Sequence, residues 1–221
     1  MLNLRSLTYK AVIFDMDGTM IDNMMVHHRA WQKKLKELGL HFTIEEVMEQ
    51  IHGINEEIME RLFGNRFTPE ERKFHAFDKE ARYREIYKDS LALLDGLSVY
   101  LDYLNLNQMP IAIGSAAPPE NIDFVLDNLN IRSLFKVIKD STDVKRGKPD
   151  PEIYVKIMEE LEVKPTDCLI FEDSVIGATA ALNSGAKTVV VTTTHQVNEF
   201  GHLPNVYGFI KDFSDSCLVY K

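Results

Sequence analysis

Four short apolar segments along the chain predict buried β-strands. They cover residues 11–14, 111–113, 169–171 and 188–191. Weaker strand candidates cover residues 136–138 and 206–210. Because the four segments are apolar throughout, without alternation of apolar and polar positions, they are typical of strands covered on both faces, as in a parallel sheet.

Helical patterns of crossover length separate several of these strands. They cover residues 119–129, 151–161 and 175–184. A strand, a helix and a further strand, repeated along the chain, build a sheet with helices on both faces. The pattern therefore predicts an α/β fold with a doubly wound, mainly parallel, Rossmann-like sheet.

The interval between the first two strands has a different pattern, because it contains several helical stretches and no convincing strand. Trp31, Leu35 and Leu38 follow helical spacing, and Gly39 ends that pattern. We expect residues 23–89 to form an inserted α-helical cap domain, a lid over the carboxyl edge of the sheet. Residues 1–22 and 90–221 then form the α/β core domain.

Composition and charge narrow the class of protein. The 221 residues are 45% hydrophobic and 27% charged, which is the balance of an ordinary globular protein. The net charge of −9 gives no bulk attraction to nucleic acid or to an anionic membrane. No apolar run reaches the ~18 residues of a membrane span, and no cleavable leader is evident. We expect a cytoplasmic monomer with neither a nucleic-acid nor a membrane partner.

Two carboxylates, Asp15 and Asp17, follow the first predicted strand directly. Ligands of open α/β sheets bind beyond the carboxyl ends of the strands, so both acids are expected at a functional site. Gly18 permits an abrupt turn, and the pair can hold a divalent cation while one acid attacks phosphorus and the other handles a proton. A calcium-binding EF-hand is excluded, because its loop has glycine at position six and follows a helix.

Three further candidates lie at strand ends or in loops that open helices. Ser115, followed by Ala116, can cradle phosphate oxygens with its hydroxyl and the local backbone N–H groups. Lys148 precedes Pro149, which favours an extended backbone, and its ammonium can neutralise a transferring phosphoryl group. Glu172 and Asp173 can complete an oxygen-only cation site with the first acid pair, which suits Mg²⁺ better than zinc.

Each of these signals alone is more simply explained by a helix cap, a turn or a solvated side chain. Their shared position at strand ends and helix-opening loops makes four independent explanations improbable. The segments DMDGT, GSAA, KRGKPDP and FEDS resemble the four motifs of the haloacid dehalogenase superfamily, and the match spans residues 10–191. The branch that contains phosphatases and β-phosphoglucomutases, with a helical cap, is the most similar.

The resemblance implies a role for each motif residue. Asp15 is implied to form an aspartyl-phosphate, and Asp17 to act as general acid and then base, with its backbone carbonyl reaching the metal. Ser115, Ala116 and Lys148 are implied to bind the transferring phosphate. Glu172 and Asp173 are implied to hold Mg²⁺ together with the first two acids.

Substrate recognition is the least defined part of this interpretation. His27 and Trp31 match positions in β-phosphoglucomutase, and Glu56 stands where the mutase has an arginine for the non-transferring phosphate. His27 and Glu56 are therefore candidate substrate-binding residues. The expected function is a Mg²⁺-dependent phosphatase for a small phosphorylated metabolite such as a sugar phosphate, with a β-phosphoglucomutase-like isomerase as the alternative. A phospho-acceptor signalling domain is disfavoured, because no acid pair precedes Asp15.

Overall fold

The computed structural model describes residues 7–51, 55–215 and 218, with the side chain of Glu56 left out. The described chain falls into two compact units. The core unit comprises the residues up to Asp22 and those from Ala92 onward, and the helical unit is Asn23–Leu91. Sequence analysis predicted that the helical unit ends at residue 89. In the structure a 3₁₀ turn at Lys88–Ser90 continues the last helix of this unit, which extends to Leu91.

A six-stranded, wholly parallel sheet forms the centre of the core unit, which confirms the predicted fold class. The strands are β1 (Ala11–Phe14), β2 (Ile111–Gly114), β3 (Val137–Lys139), β4 (Cys168–Glu172), β5 (Lys187–Val191) and β6 (Val206–Ile210). Their order across the sheet is β3-β2-β1-β4-β5-β6. Both weaker strand candidates are therefore strands, and β3 lies one residue later than predicted.

Within its described residues, the core unit has four α-helices that flank this sheet. They are α5 (Leu97–Leu106), α6 (Pro119–Asn128), α7 (Glu152–Glu160) and α8 (Val175–Ser184). Local sequence fixes the ends of α8. Ser174 is its N-cap, with Oγ accepting the backbone N–H of Gly177, and Gly185 ends the helix in the left-handed conformation at φ +84°.

Burial on both faces explains why β1 is apolar throughout. The Phe14 ring stacks on that of Phe171, with centroids 5.2 Å apart, and both rings contact Tyr100. Ala11 and Ile13 belong to the opposite layer, which includes Tyr154 of α7. Each large side chain buried in this way contributes roughly 1.5–3 kcal/mol, so the site at the end of β1 rests on a rigid support.

The helical unit consists of helices within its described residues, with no strand among them. They are α1 (Met24–Glu37), α2 (Ile44–Gln50), α3 (Asn55–Phe63) and α4 (Pro69–Tyr87). A capping box of Thr43 and Glu46 begins α2, and an equivalent box begins α4. Trp31 and Leu35 are buried in the unit's own apolar cluster. Within the described chain, no helix combines the length and apolar character needed to cross a bilayer.

Candidate active site

The ends of three neighbouring strands place the predicted site residues on one edge of the sheet. Asp15 follows β1, Ser115 follows β2, and Glu172 is the last residue of β4. Since β1 pairs in parallel with both β2 and β4, their carboxyl ends are adjacent. The backbone N–H of Asp15 donates to the carbonyl of Phe171 at 3.0 Å, so the hydrogen bonding between β1 and β4 continues as far as Asp15.

Lys148 joins two of these strand ends. Its Nζ lies 2.6 Å from Oδ1 of Asp15 and 2.6 Å from Oε1 of Glu172. The loop that carries Lys148 is tied to its surroundings. The Glu152 carboxylate accepts the backbone N–H groups of two residues before Lys148, and the Asn183 amide donates to the carbonyl of Pro149 at 3.0 Å. The Lys148–Pro149 peptide bond is cis.

Three buried carboxylates form one cluster. Asp15, Glu172 and Asp173 are between 1% and 6% exposed, and one carboxylate oxygen of each lies within 4.8 Å of the others. Asp17, half-buried, is not part of this side-chain cluster as far as the described residues extend. Its implied contact with the metal is through the backbone carbonyl and stays a prediction.

The pKa values in the cluster reflect burial and crowding of negative charge. Burial raises the pKa of Asp15 well above its usual range; Lys148 opposes this effect, and the other two carboxylates add to it. Burial, followed by the charge of Glu172, raises the pKa of Asp173 to about 7. Burial alone would lower the pKa of Lys148, but the Asp15 and Glu172 carboxylates outweigh it and raise that pKa.

The donor set fits a hard divalent cation. Among the described residues, three carboxylates face one ammonium group, which compensates only part of their negative charge. The donors are oxygens only, which is the chemistry that Mg²⁺ prefers. A cation at this position would favour the ionised form of each carboxyl and reverse the upward pKa shifts.

The turn after Asp17 lies directly against Asp173. Gly18 has φ +76°, and a β-carbon there would be 2.3 Å from the Asp173 Oδ2 atom, so only glycine fits. The Thr194 hydroxyl, just beyond β5, donates to the same Oδ2 atom, and the Thr19 hydroxyl lies 3.5 Å from Oδ1. Sequence analysis missed Thr194, which belongs to no recognised motif.

Ser115 and Ala116 differ in their surroundings. Ser115 is 1% exposed, and its Oγ accepts the backbone N–H of Ala117 at 3.1 Å. Ala116 is exposed. This is a tight turn between β2 and α6, and its predicted role in phosphate binding stays a prediction.

A second residue that sequence analysis missed is Tyr154 of α7. Its hydroxyl donates to Oε1 of Glu172 at 2.5 Å, and the residue is fully buried. The apolar stripe of α7 predicts that Tyr154 faces the core. Nothing local in the sequence indicates which carboxylate its hydroxyl meets.

His27 lies in a buried polar network within the helical unit. Its Nδ1 is 3.0 Å from Lys79 Nζ, and its ring stacks on Tyr83 with centroids 3.8 Å apart. Burial, and then the Lys79 charge, lower the pKa of His27 to about 3. His27 is therefore neutral at pH 7, and its Nδ1 can accept a hydrogen bond from the Lys79 ammonium. Glu56 is the other predicted substrate-binding residue, and the structure does not describe its side chain.

Comparison with known proteins identifies the family. The sequence profile of the haloacid dehalogenase-like hydrolases matches residues 9–185. The chain belongs to this hydrolase family. It is therefore an enzyme of the hydrolase class, as the four motifs implied.

Named relatives and solved structures agree with this membership. The chain is 32% identical to β-phosphoglucomutase of Bacillus subtilis, over 82% of this chain and 83% of the relative. It is 28% identical to the phosphorylated carbohydrates phosphatase of Thermotoga maritima, over 86% and 88% of the two chains. A crystal structure of a family IA, variant 3 hydrolase from Entamoeba histolytica superposes with a TM-score of 0.84 at 26% identity, covering 93% of this chain and 94% of the other.

Proposed function

We propose that this hydrolase is a Mg²⁺-dependent phosphatase that acts on a small phosphorylated metabolite such as a sugar phosphate. The observation that carries the proposal is the contact of Lys148 Nζ with Asp15 Oδ1 at 2.6 Å, beside the clustered carboxylates of Glu172 and Asp173. This arrangement provides a nucleophile, a counter-charge for phosphate and oxygen ligands for a cation. Relatives that include a phosphatase for phosphorylated carbohydrates support the substrate class.

Asp15 is the proposed nucleophile. One of its carboxylate oxygens attacks phosphorus, the bond from phosphorus to the ester oxygen breaks, and the leaving alkoxide takes a proton from Asp17. Water then attacks the aspartyl-phosphate at phosphorus and gives a proton to Asp17. The phosphorus–aspartate bond breaks, which releases inorganic phosphate and restores both carboxyl groups.

Charge complementarity supports the roles of the remaining core residues. Lys148 keeps its proton at neutral pH, because the adjacent carboxylates raise its pKa, so it can neutralise a phosphoryl oxygen. Glu172 and Asp173, with Asp15 and the backbone of Asp17, are the proposed holders of Mg²⁺. When bound, the cation would stabilise the negative charge on the transferring phosphoryl group.

Ser115 and Ala116 complete the proposed phosphate site by their place at the end of β2, next to β1. The family resemblance assigns His27 and Glu56 to substrate recognition and the helical unit to the role of cap domain, and both assignments belong to the proposal.

A β-phosphoglucomutase-like isomerase is the second candidate, favoured by the 32% identity to the Bacillus subtilis mutase. Glu56, in place of the mutase's phosphate-binding arginine, argues against it. A carboxylate about 6 Å from a phosphate dianion costs several kcal/mol at an effective dielectric near 20. The aspartyl-phosphate should therefore be discharged by water rather than by a second sugar phosphate.

Two assays test the proposal and separate the candidates. The first measures phosphate release from several dozen phosphorylated metabolites, with Mg²⁺ and with EDTA. We expect release from at least one sugar phosphate, lost on chelation and restored by Mg²⁺. The second supplies β-glucose 1-phosphate with a trace of glucose 1,6-bisphosphate. If glucose 6-phosphate forms much faster than phosphate is released, the protein is a mutase and the phosphatase proposal is wrong.

A further inference from the structure

The Glu172 carboxylate accepts donors on both of its oxygens. Oε1 accepts from the Tyr154 hydroxyl at 2.5 Å and from Lys148 Nζ at 2.6 Å. Oε2 accepts from the backbone N–H of Asp173 at 3.2 Å, and the Ser174 hydroxyl lies 3.4 Å away. The residue is 1% exposed. Protein groups alone therefore hold this carboxylate in one orientation.

Gly177 supplies the space that the carboxylate occupies. A β-carbon at position 177 would lie 2.0 Å from both Cδ and Oε1 of Glu172, and 2.1 Å from Oε2. Glu172 is itself buried at the end of a central strand, so it has little room to withdraw. Gly177 belongs to the first turn of α8, where the helix dipole stabilises a nearby carboxylate. A side chain as small as alanine would displace Glu172 from this position.

Tyr154 contacts both members of the Lys148–Glu172 pair. Its hydroxyl donates to the carboxylate, and the Lys148 ammonium lies 4.9 Å from the centre of its ring. The ring belongs to the central apolar cluster, which fixes its position. Removing the hydroxyl alone would take away one donor of Glu172 and leave the packing of the ring in place.

We infer that Tyr154 and Gly177 are positioning residues that set the Glu172 carboxylate for both Lys148 and the cation. The inference rests on the proposed function, because it takes Glu172 as a metal-holding residue. Groups that orient metal ligands typically change metal affinity by about 10–100-fold when they are removed. Tyr154 acts by a hydrogen bond and Gly177 by the absence of a β-carbon. Substitution of either residue should therefore weaken the affinity for Mg²⁺, although the two causes are unrelated.

The test measures Mg²⁺ affinity directly, by calorimetric titration of the metal-free full-length chain, alongside kcat and KM. Tyr154→Phe and Gly177→Ala should each weaken Mg²⁺ binding by about 10–100-fold. Tyr100→Phe is the matched control for a buried tyrosine away from Glu172. Gly201→Ala is the matched control for a glycine, because its nearest neighbour to a new β-carbon is 3.7 Å away. Both controls should bind Mg²⁺ within about twofold of wild type, since the contacts described for Tyr100 and Gly201 include no proposed ligand.

A double-mutant cycle separates displacement of Glu172 from general damage to α8. In a Glu172→Asp background the shorter side chain leaves room for a β-carbon, so adding Gly177→Ala should cost less than about threefold in Mg²⁺ affinity. Full additivity of the two substitutions would overturn the role of Gly177. Wild-type affinity in Tyr154→Phe would overturn the role of Tyr154, whether or not the alanine variant folds. Wild-type protein that binds no Mg²⁺ would overturn the proposed function and, with it, this inference.

Discussion

The ammonium of Lys148 lies 2.6 Å from the Asp15 carboxylate, although 133 positions separate the two residues in the chain. Both side chains are less than a tenth exposed. Burying an ion pair is costly unless each charge has further partners. The Glu172 carboxylate is a second partner of the Lys148 ammonium, also at 2.6 Å. A contact of this kind is difficult to explain by stability alone, and it is expected where a phosphoryl group must be received.

Asp15→Asn should abolish turnover, because an amide cannot attack phosphorus. We expect a loss on the order of 10³-fold or more in kcat, with the fold retained. Phosphate release from the best substrate of the metabolite screen measures the loss, and circular dichroism checks the fold. Asp102→Asn, an exposed acid on α5, is the control. Activity within tenfold of wild type would remove Asp15 from the chemistry.

Lys148→Met should lower kcat by about 10²–10³-fold, because it removes the ammonium that pairs with Asp15 and Glu172 and that is proposed to neutralise the substrate phosphate. Lys145→Met is the matched control, since Lys145 is exposed in the same loop and contributes a backbone N–H to Glu152. Steady-state kinetics at saturating Mg²⁺ compares the two variants. Equal rates in both would show that Lys148 is a structural residue only.

The sequence predicts those parts of the site that follow from a local pattern or from a general rule of sheet topology. The strand that precedes Asp15 is predictable because burial on both faces makes β1 apolar at every position. Its meeting with Glu172 follows from a general rule, since parallel strands bring their carboxyl ends to one edge of the sheet. The role of Lys148 depended on the family resemblance, because a lysine in a loop is by itself only a solvated cation.

The residues that sequence analysis missed depend on packing between distant elements. Tyr154 reaches Glu172 only because α7 and β4 contribute side chains to the same apolar cluster. Thr194 reaches Asp173 only because β5 pairs with β4. Nothing local in the sequence links Gly177 to Glu172, and only the position of the Glu172 carboxylate shows why a β-carbon is excluded at residue 177.

Without metal, stability should fall between pH 5 and pH 8. Burial and Glu172 raise the pKa of Asp173 to about 7, above the value of about 3.8 expected in the unfolded chain. The folded state therefore binds more protons in this window, and stability present below the unfolded pKa is lost as the pH rises through the folded pKa. One pKa unit corresponds to about 1.4 kcal/mol, so the loss is on the order of a few kcal/mol.

Thermal unfolding in EDTA at pH 5 and pH 8 measures this effect. Asp173→Asn should reduce the difference between the two pH values, because the amide does not titrate. Mg²⁺ should also reduce it, since a cation favours the ionised carboxylates. A metal-free wild type that is more stable at pH 8 than at pH 5 would contradict the prediction.

Lys79→Met should destabilise the chain by about 3 kcal/mol or more, because it leaves the buried Glu80 carboxylate without its 2.6 Å ammonium partner. Lys73→Met, at an exposed position of the same helix, should change the free energy of unfolding by less than about 0.5 kcal/mol. Urea unfolding measures both. Adding Glu80→Gln to Lys79→Met should recover part of the loss, and no recovery would indicate that the charge of Glu80 is not the cause.

The covalent role of Asp15 is tested most directly by trapping the phosphorylated enzyme. Wild-type protein is mixed with Mg²⁺ and the best substrate of the metabolite screen, quenched in acid during turnover, reduced with borohydride and analysed by peptide mass spectrometry. An aspartyl-phosphate is reduced at its carbonyl carbon, so the account predicts homoserine at position 15, dependent on Mg²⁺ and on substrate. Sustained turnover, with position 15 always recovered as unmodified aspartate or with the modification at another acid, would contradict it.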